Sequence, residues 1–251
     1  MTNEEENRII ALENRLTECE RRLRRHKHDN IETDNLPQSS IKDFQPDATI
    51  LYATNFESTD RFQGAVGGSG SQGVGISGID LNTESTGASY SRLYWRMGNN
   101  NSIKLFSNTP RFTVSFIPDD IELGTGTGHF FAGIGEITVA GTGITFTGSH
   151  IGFKVVKSAG VMTLYATQSD GTEETVSLGA IDQDDVIEAY LEVGISSVTY
   201  VWRRNGGDWT TTTLSAHMPT ADVKSMTFAT SNVSTAAKFN FILIGSTFQS
   251  S

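Results

Sequence analysis

Apolar and polar residues alternate with a period of two through most of the chain after residue 48, and this constrains the fold more than any other feature. In Arg111–Ile117, Phe112, Val114 and Phe116 fall on one side and Thr113 and Ser115 on the other. In Val186–Val193, Ile187, Ala189, Leu191 and Val193 alternate with Glu188, Tyr190 and Glu192. In Ala237–Gly245, Phe239, Phe241 and Leu243 alternate with Lys238, Asn240 and Ile242. Side chains of a strand point alternately to its two faces, so each run is predicted to be a strand with one apolar face. Similar runs cover Leu93–Arg96, Ile103–Phe106, Gly128–Gly135, Ile137–Ala140, His150–Val156, Val161–Thr167, Thr175–Leu178, Val198–Arg203, Trp209–Leu214 and Lys224–Thr230, and Thr49–Phe56 reads as the first strand. About a dozen short strands parted by Gly, Asp, Asn and Ser turns mean apolar faces packed on one another, a sandwich or barrel. No long segment in this part of the chain has helical period, so the expected class is all-β. Gly64–Gly78, GAVGGSGSQGVGISG, lacks the lysine and the GKS/T ending of a phosphate loop. It is expected to be a surface loop or a crowded turn.

The N-terminal part follows another period. Ile9, Leu12, Leu16, Cys19 and Leu23 recur at spacings of three and four, the a and d seam of a coiled coil. The same register puts Arg8 and Arg15 at g and Glu13 and Glu20 at e, so each Arg can reach a Glu on a neighbouring helix. The hexamers Arg8–Glu13 and Arg15–Glu20 resemble the short trimerisation signature of coiled coils, Arg-apolar-x-x-apolar-Glu, the second with Cys19 in an apolar slot. The expected oligomerisation residues are therefore Arg8, Ile9, Leu12, Glu13, Arg15, Leu16, Cys19, Glu20 and Leu23, and the expected assembly is a homotrimer. Turn residues with spaced apolar anchors then fill the stretch to Pro46. The expected division is a coiled-coil segment over 1–29, a linker over 30–48 and a β-sandwich head over 49–251.

Charge and cysteine narrow the partners. Residues 1–30 hold seven acids and seven bases, so the net charge of −10 falls on residues 31–251, where 22 acids face 12 bases. Such a surface repels phosphate, and neither nucleic acid nor an anionic membrane is an expected partner. The single cysteine cannot staple a fold; at a d position Cys19 packs as a small hydrophobe. The acidic opening is not a secretory leader, and no apolar run approaches the roughly 20 residues of a membrane span. The expectation is a protein made in the cytosol and carried outward on a particle, at a virion surface.

From His150 to Ser251 the order is HIGFKVV, a turn, VMTLYATQSDGTEETVSLGAID, DVIEAYLEV, SVTYVWRRNGGDW and HMPTADVKSMTFATSNVSTAAKFNFILIG. This resembles the concanavalin A-like jelly roll of lectins, laminin-G-type domains and many phage tail and head fibre proteins. The resemblance lies in a strand, a DGT-type turn, long central strands ending in an NGG hairpin, and a closing strand. It implies a jelly-roll β-sandwich, with Thr49–Phe56 as a first strand pairing near the last.

No catalytic constellation accompanies it. Glucanases on this fold carry Glu-x-Asp-x-x-Glu on one strand, and the nearest acidic run, Asp182–Glu188, begins in a turn. His129, His150 and His217 are scattered, and neither zinc spacing nor a calcium loop occurs, so no metal site and no cofactor are expected. Aromatic residues beside polar ones are a stronger signal, since sugars stack C–H faces on Trp and Tyr and pair hydroxyls with Asp, Asn and Arg. Two places combine them: Tyr94, Trp95 and Arg96 before Gly98–Asn101, and Arg204, Asn205, Asp208 and Trp209 at the NGG hairpin. Trp202 shares a face with Val198 and Tyr200 and is expected in the core.

The expected protein is a homotrimeric viral fibre whose heads grip host-surface glycans, held to the virion by an attachment protein. Its first rival is a capsid-decorating or spacer fibre with no small ligand, and its second a glycan depolymerase; the expectation is that it is not an enzyme.

Overall fold

The computed structural model describes residues 49–54, 63–74, 78–83, 89–96, 110–122, 126–135, 137–140, 143–146, 148–219, 225–233 and 238–250. All lie in the chain unit Asp47–Ser251. The coiled-coil residues Arg8–Leu23, the linker and the run Ile103–Phe106 fall outside the described residues. The strands in chain order are β1 (Thr49–Thr54), β2 (Gln63–Gly67), β3 (Ser71–Val74), β4 (Ile79–Asn82), β5 (Tyr90–Arg96), β6 (Arg111–Asp119), β7 (Gly128–Gly135), β8 (Thr138–Ala140) and β9 (Gly143–Thr145). They continue with β10 (His150–Ser158), β11 (Val161–Ser169), β12 (Glu173–Ile181), β13 (Ile187–Val193), β14 (Val198–Arg204), β15 (Thr210–Leu214), β16 (Ser225–Asn232) and β17 (Asn240–Ser250). No helix occurs among the described residues, and the all-β expectation holds.

Two antiparallel sheets carry the architecture. One has eight strands, β15-β14-β13-β6-β17-β4-β3 with β1 also on β17; the other has seven, β12-β11-β10-β7-β16-β5-β2. The first strand does pair with the last, Thr49 opposite Ser250 through Thr54 opposite Ser246. Strands distant in sequence thus lie side by side, the winding of a jelly roll.

The alternating residues meet between the sheets. Phe112, Val114, Phe116, Ile187, Leu191, Val198, Phe241 and Leu243 from the eight-stranded sheet face Phe130, Ile134, Phe153, Val155, Leu164 and Phe228 from the other. The rings interlock, Phe130 stacked on Phe241 at 4.0 Å and tilted against Phe116 at 4.7 Å. Each such side chain stabilises the fold by about 1.5–3 kcal/mol through removal from water. Tyr200, fully buried, meets Phe153 edge-on and donates its hydroxyl to the Thr167 carbonyl at 2.9 Å. Trp202 continues that row, half-buried and packed against the core.

The glycine-rich stretch is corrected by the structure: Gly64–Gly78 includes most of β2 and all of β3, edge strands joined by a turn through Gly68. Glycine suits them because neighbours crowd the backbone. A Cβ on Gly67 would sit 2.1 Å from the Tyr90 ring, and the Gln72 amide, which reaches the Ala65 and Arg92 carbonyls, crosses the Cβ space of Gly64. Period-two reading misses such strands because glycines interrupt the alternation in short runs.

Candidate functional site

The NGG hairpin divides in two. Asn205 and Gly206 both have positive φ, 52° and 69°, and Gly207 N–H donates to the Arg204 carbonyl at 2.9 Å, as a tight two-residue hairpin turn requires. The Asn205 amide donates to Asp185 Oδ1 at 2.7 Å, and its oxygen accepts from Val186 N–H at 2.8 Å. Arg204 reaches Asp185 Oδ2 at 3.4 Å and Asp182 at 3.8 Å. Arg204 and Asn205 therefore clamp the turn before β13. Asp208 is exposed beside them.

Trp209 turns the other way and keeps 45% of its surface exposed. Its neighbours come from the outer face of the eight-stranded sheet. Pairing of β13 with β14 sets Glu188 opposite Arg203, and pairing of β13 with β6 sets Glu192 opposite Arg111. Because Ile187, Ala189 and Leu191 point inward, Glu188, Tyr190 and Glu192 stand outward. The Arg203 guanidinium lies 4.4 Å above the Trp209 ring, and Tyr190 meets that ring edge-on at 5.6 Å. Arg111 lies 4.0 Å above the Tyr190 ring, with its Nε 3.7 Å from Glu192.

Arg203 and Glu188 form a fork, Nε to Oε2 at 2.7 Å and Nη2 to Oε1 at 2.9 Å. Those hydrogen bonds raise the Arg203 pKa further, against the smaller opposing effect of burial. Bidentate pairing holds both groups in one plane and leaves the carboxylate's other lone pairs toward solvent. The result is an exposed indole flanked by a second ring and two Arg–Glu pairs. Sequence reading found Trp209 and missed Arg111, Glu188, Tyr190 and Arg203. Their outward position was readable from the alternation, but the register that gathers them was not.

The second predicted place is on the other sheet. Tyr94 lies half-buried in β5, with the Arg92 guanidinium 4.7 Å above its ring. The backbones of Trp95 and Arg96 continue β5 opposite Met226 and Ser225. Gly98–Asn101 lies outside the described residues. The structure does not join this place to Trp209, since they belong to different sheets.

On the outer face of the seven-stranded sheet, polar groups are linked beneath a cover. His150 Nε2 lies 3.1 Å from Thr167 Oγ1, which donates to Glu173 Oε1 at 2.7 Å; Lys154 Nζ donates to the same oxygen at 2.6 Å. The Phe146 ring packs on His150 at 5.7 Å and on Lys154 at 4.8 Å. Burial pushes the His150 pKa below its ordinary 6.5; Lys154 adds to this, while the Gly148 carbonyl and Glu173 oppose it. Among the described residues no group of three or more His, Cys, Asp or Glu could hold a metal ion.

No protein-family model and no curated protein sequence matches the chain. Solved structures share its fold at low identity. The CBM2 module of the evolved Dit of Lactobacillus casei BL23 phage J-1 has a TM-score of 0.53 and 14% identity over 80% of this chain and 95% of that one. Peanut lectin has 0.51 and 15% over 81% and 97%. The alginate lyase from Klebsiella pneumoniae has 0.50 and 8% over 72% and 84%. The sandwich is a concanavalin A-like, lectin-like jelly roll, as the sequence resemblance implies. At these identities the likeness establishes fold and nothing further.

Proposed function

We propose that the chain is a homotrimeric viral fibre whose lectin-like heads bind host-surface glycans through the Trp209 platform. The observation that carries this is a large aromatic ring left open on a sheet face, with hydrogen-bonding groups held rigidly beside it. An exposed indole costs the fold apolar hydration unless something covers it, and the C–H face of a sugar is a suitable cover. The similarity to a module of a phage protein supports the viral setting, and the a/d pattern of Arg8–Leu23 supports three copies. Three weak sites on one axis gain avidity without new contacts.

We read the heads as non-catalytic, although a lyase shares the fold. A general base must reach the proton it removes. His150, the histidine of the Thr167–Glu173 chain, is fully buried and packed against Phe146.

The test is binding of the full chain to glycan arrays and whole cells. Trp209→Ala should lower affinity per head by about tenfold, the worth of one stacked ring, while light scattering shows unchanged trimer mass. Unaltered binding would move the site to Tyr94–Arg96, and a wild type that binds no glycan or cell would favour the spacer fibre. Release of unsaturated uronate ends from alginate would show a lyase.

A further inference from the structure

The electrostatics of the platform point to a ligand class. Resting on the proposal that this platform binds glycans, we infer that it takes neutral sugars, reading vicinal hydroxyls, and excludes sugars bearing carboxylate or sulfate. Two arginines beside aromatic rings would ordinarily suggest an acidic ligand. Here one bidentate edge of Arg203, Nε–Nη2, is already filled by Glu188 at 2.7 and 2.9 Å, and its charge is matched there. Arg111 is set against Glu192 more loosely, as a single ion pair with Nε 3.7 Å from the carboxylate. The platform thus has two guanidinium groups, two carboxylates and no net charge, on a chain of net charge −10.

An acidic sugar over Trp209 would bring its charge against Glu188 and Glu192, with Arg203 and Arg111 already paired to those carboxylates, and the site discriminates by that repulsion. A neutral pyranose meets no such penalty. Its C–H face covers the indole, and one hydroxyl donates to a Glu188 oxygen while its neighbour accepts from the Arg203 guanidinium. A carboxylate and a guanidinium locked side by side form an acceptor and a donor at the spacing of adjacent hydroxyls. The strands next to Trp209 add hydroxyls: Thr199 lies opposite Thr213, and Thr211 opposite Val201.

The experiment compares neutral hexasaccharides of glucose, galactose and mannose with oligogalacturonate and sialyllactose, using the full chain and Glu188→Gln. The wild type should bind a neutral probe with affinity constant within about twofold between about 0.05 and 0.5 M NaCl, since no counterion-screened attraction is involved. It should bind the acidic probes at least about tenfold more weakly, the scale of one uncompensated charge contact. Glu188→Gln should gain acidic binding at low salt by a similar factor, and lose the gain at high salt. Preference of the wild type for acidic probes, with affinity falling as salt rises, would overturn the inference and leave the glycan-binding proposal standing. So would a folded Glu188→Gln that gains nothing; should that variant fail to fold, Glu192→Gln is measured for the same gain. A wild type that binds no glycan would sink the proposed function and the inference together.

Discussion

On the outer face of the seven-stranded sheet, Phe131 and Ala229 are fully buried, and on the outer face of the eight-stranded sheet Trp209 keeps 45% of its surface open. The first pair packs with Ile137 and Ile144 of the β8–β9 segment, and Val139 and Phe146 close the edges of this second, small core. Gly133 and Gly152 lie side by side beneath it; a Cβ on either would come within 2.9 Å of the Phe131 ring. The first face is covered by the chain's own residues. The second carries rings, charges and threonines, and on it Trp209 stays open. A sandwich that hides the outer face of one sheet and leaves part of the other's open separates stability from recognition, because changes on the open face cost little folding energy.

Substitutions can break that contrast. The largest effect is expected for Phe131→Ala, which removes a fully buried ring from the covered face and should destabilise the fold by about 3–5 kcal/mol in denaturant unfolding. A loss below about 1 kcal/mol would mean that the cover contributes little. Next is Glu173→Ala, which strips the Lys154 ammonium and the Thr167 hydroxyl of a common acceptor. With Lys154 nearly buried and Glu173 partly open to water, the cost should be about 2 kcal/mol.

A smaller effect appears with pH. Burial, then Lys154, lower the His129 pKa from 6.5, against Glu173, and burial lowers that of His150. The unfolded chain therefore binds more protons just below 6.5. The stability linked to these residues is full above 6.5 and is lost as pH falls through the lowered folded values. The melting temperature of the wild type should drop over that window, and His150→Gln should flatten the slope. An equal slope in the variant would exclude His150 as a source.

The smallest change in stability is expected for Trp209→Ala on the open face, about 0.5–1 kcal/mol from its contacts with Arg203 and Tyr190. That is below the roughly 1.4 kcal/mol to which its expected tenfold effect on binding per head corresponds. Equal loss of stability for Trp209→Ala and Phe131→Ala in the same melts would erase the distinction between the faces.

Much of the sandwich was readable without coordinates. Alternation assigned Phe112, Phe116, Leu191 and Phe241 to the core, and Asn205-Gly206 marked its turn, because these depend on the local geometry of a strand or a hairpin. At the candidate site, Trp209 was readable for the same reason. Arg204 and Asn205 were chosen with it as neighbours in sequence, yet they reach Asp185 on the preceding turn. The sequence by itself determined which face each residue takes, since the period of a strand is intrinsic to its backbone. Only the tertiary structure decided which faces meet. Thr113 bonds Thr247 across 134 residues, and Arg203 finds Glu188 through a register that no alternation specifies. A strand's period is the same at every register, whereas contacts across strands exist at one register alone, and it is selected by the packing of the whole core.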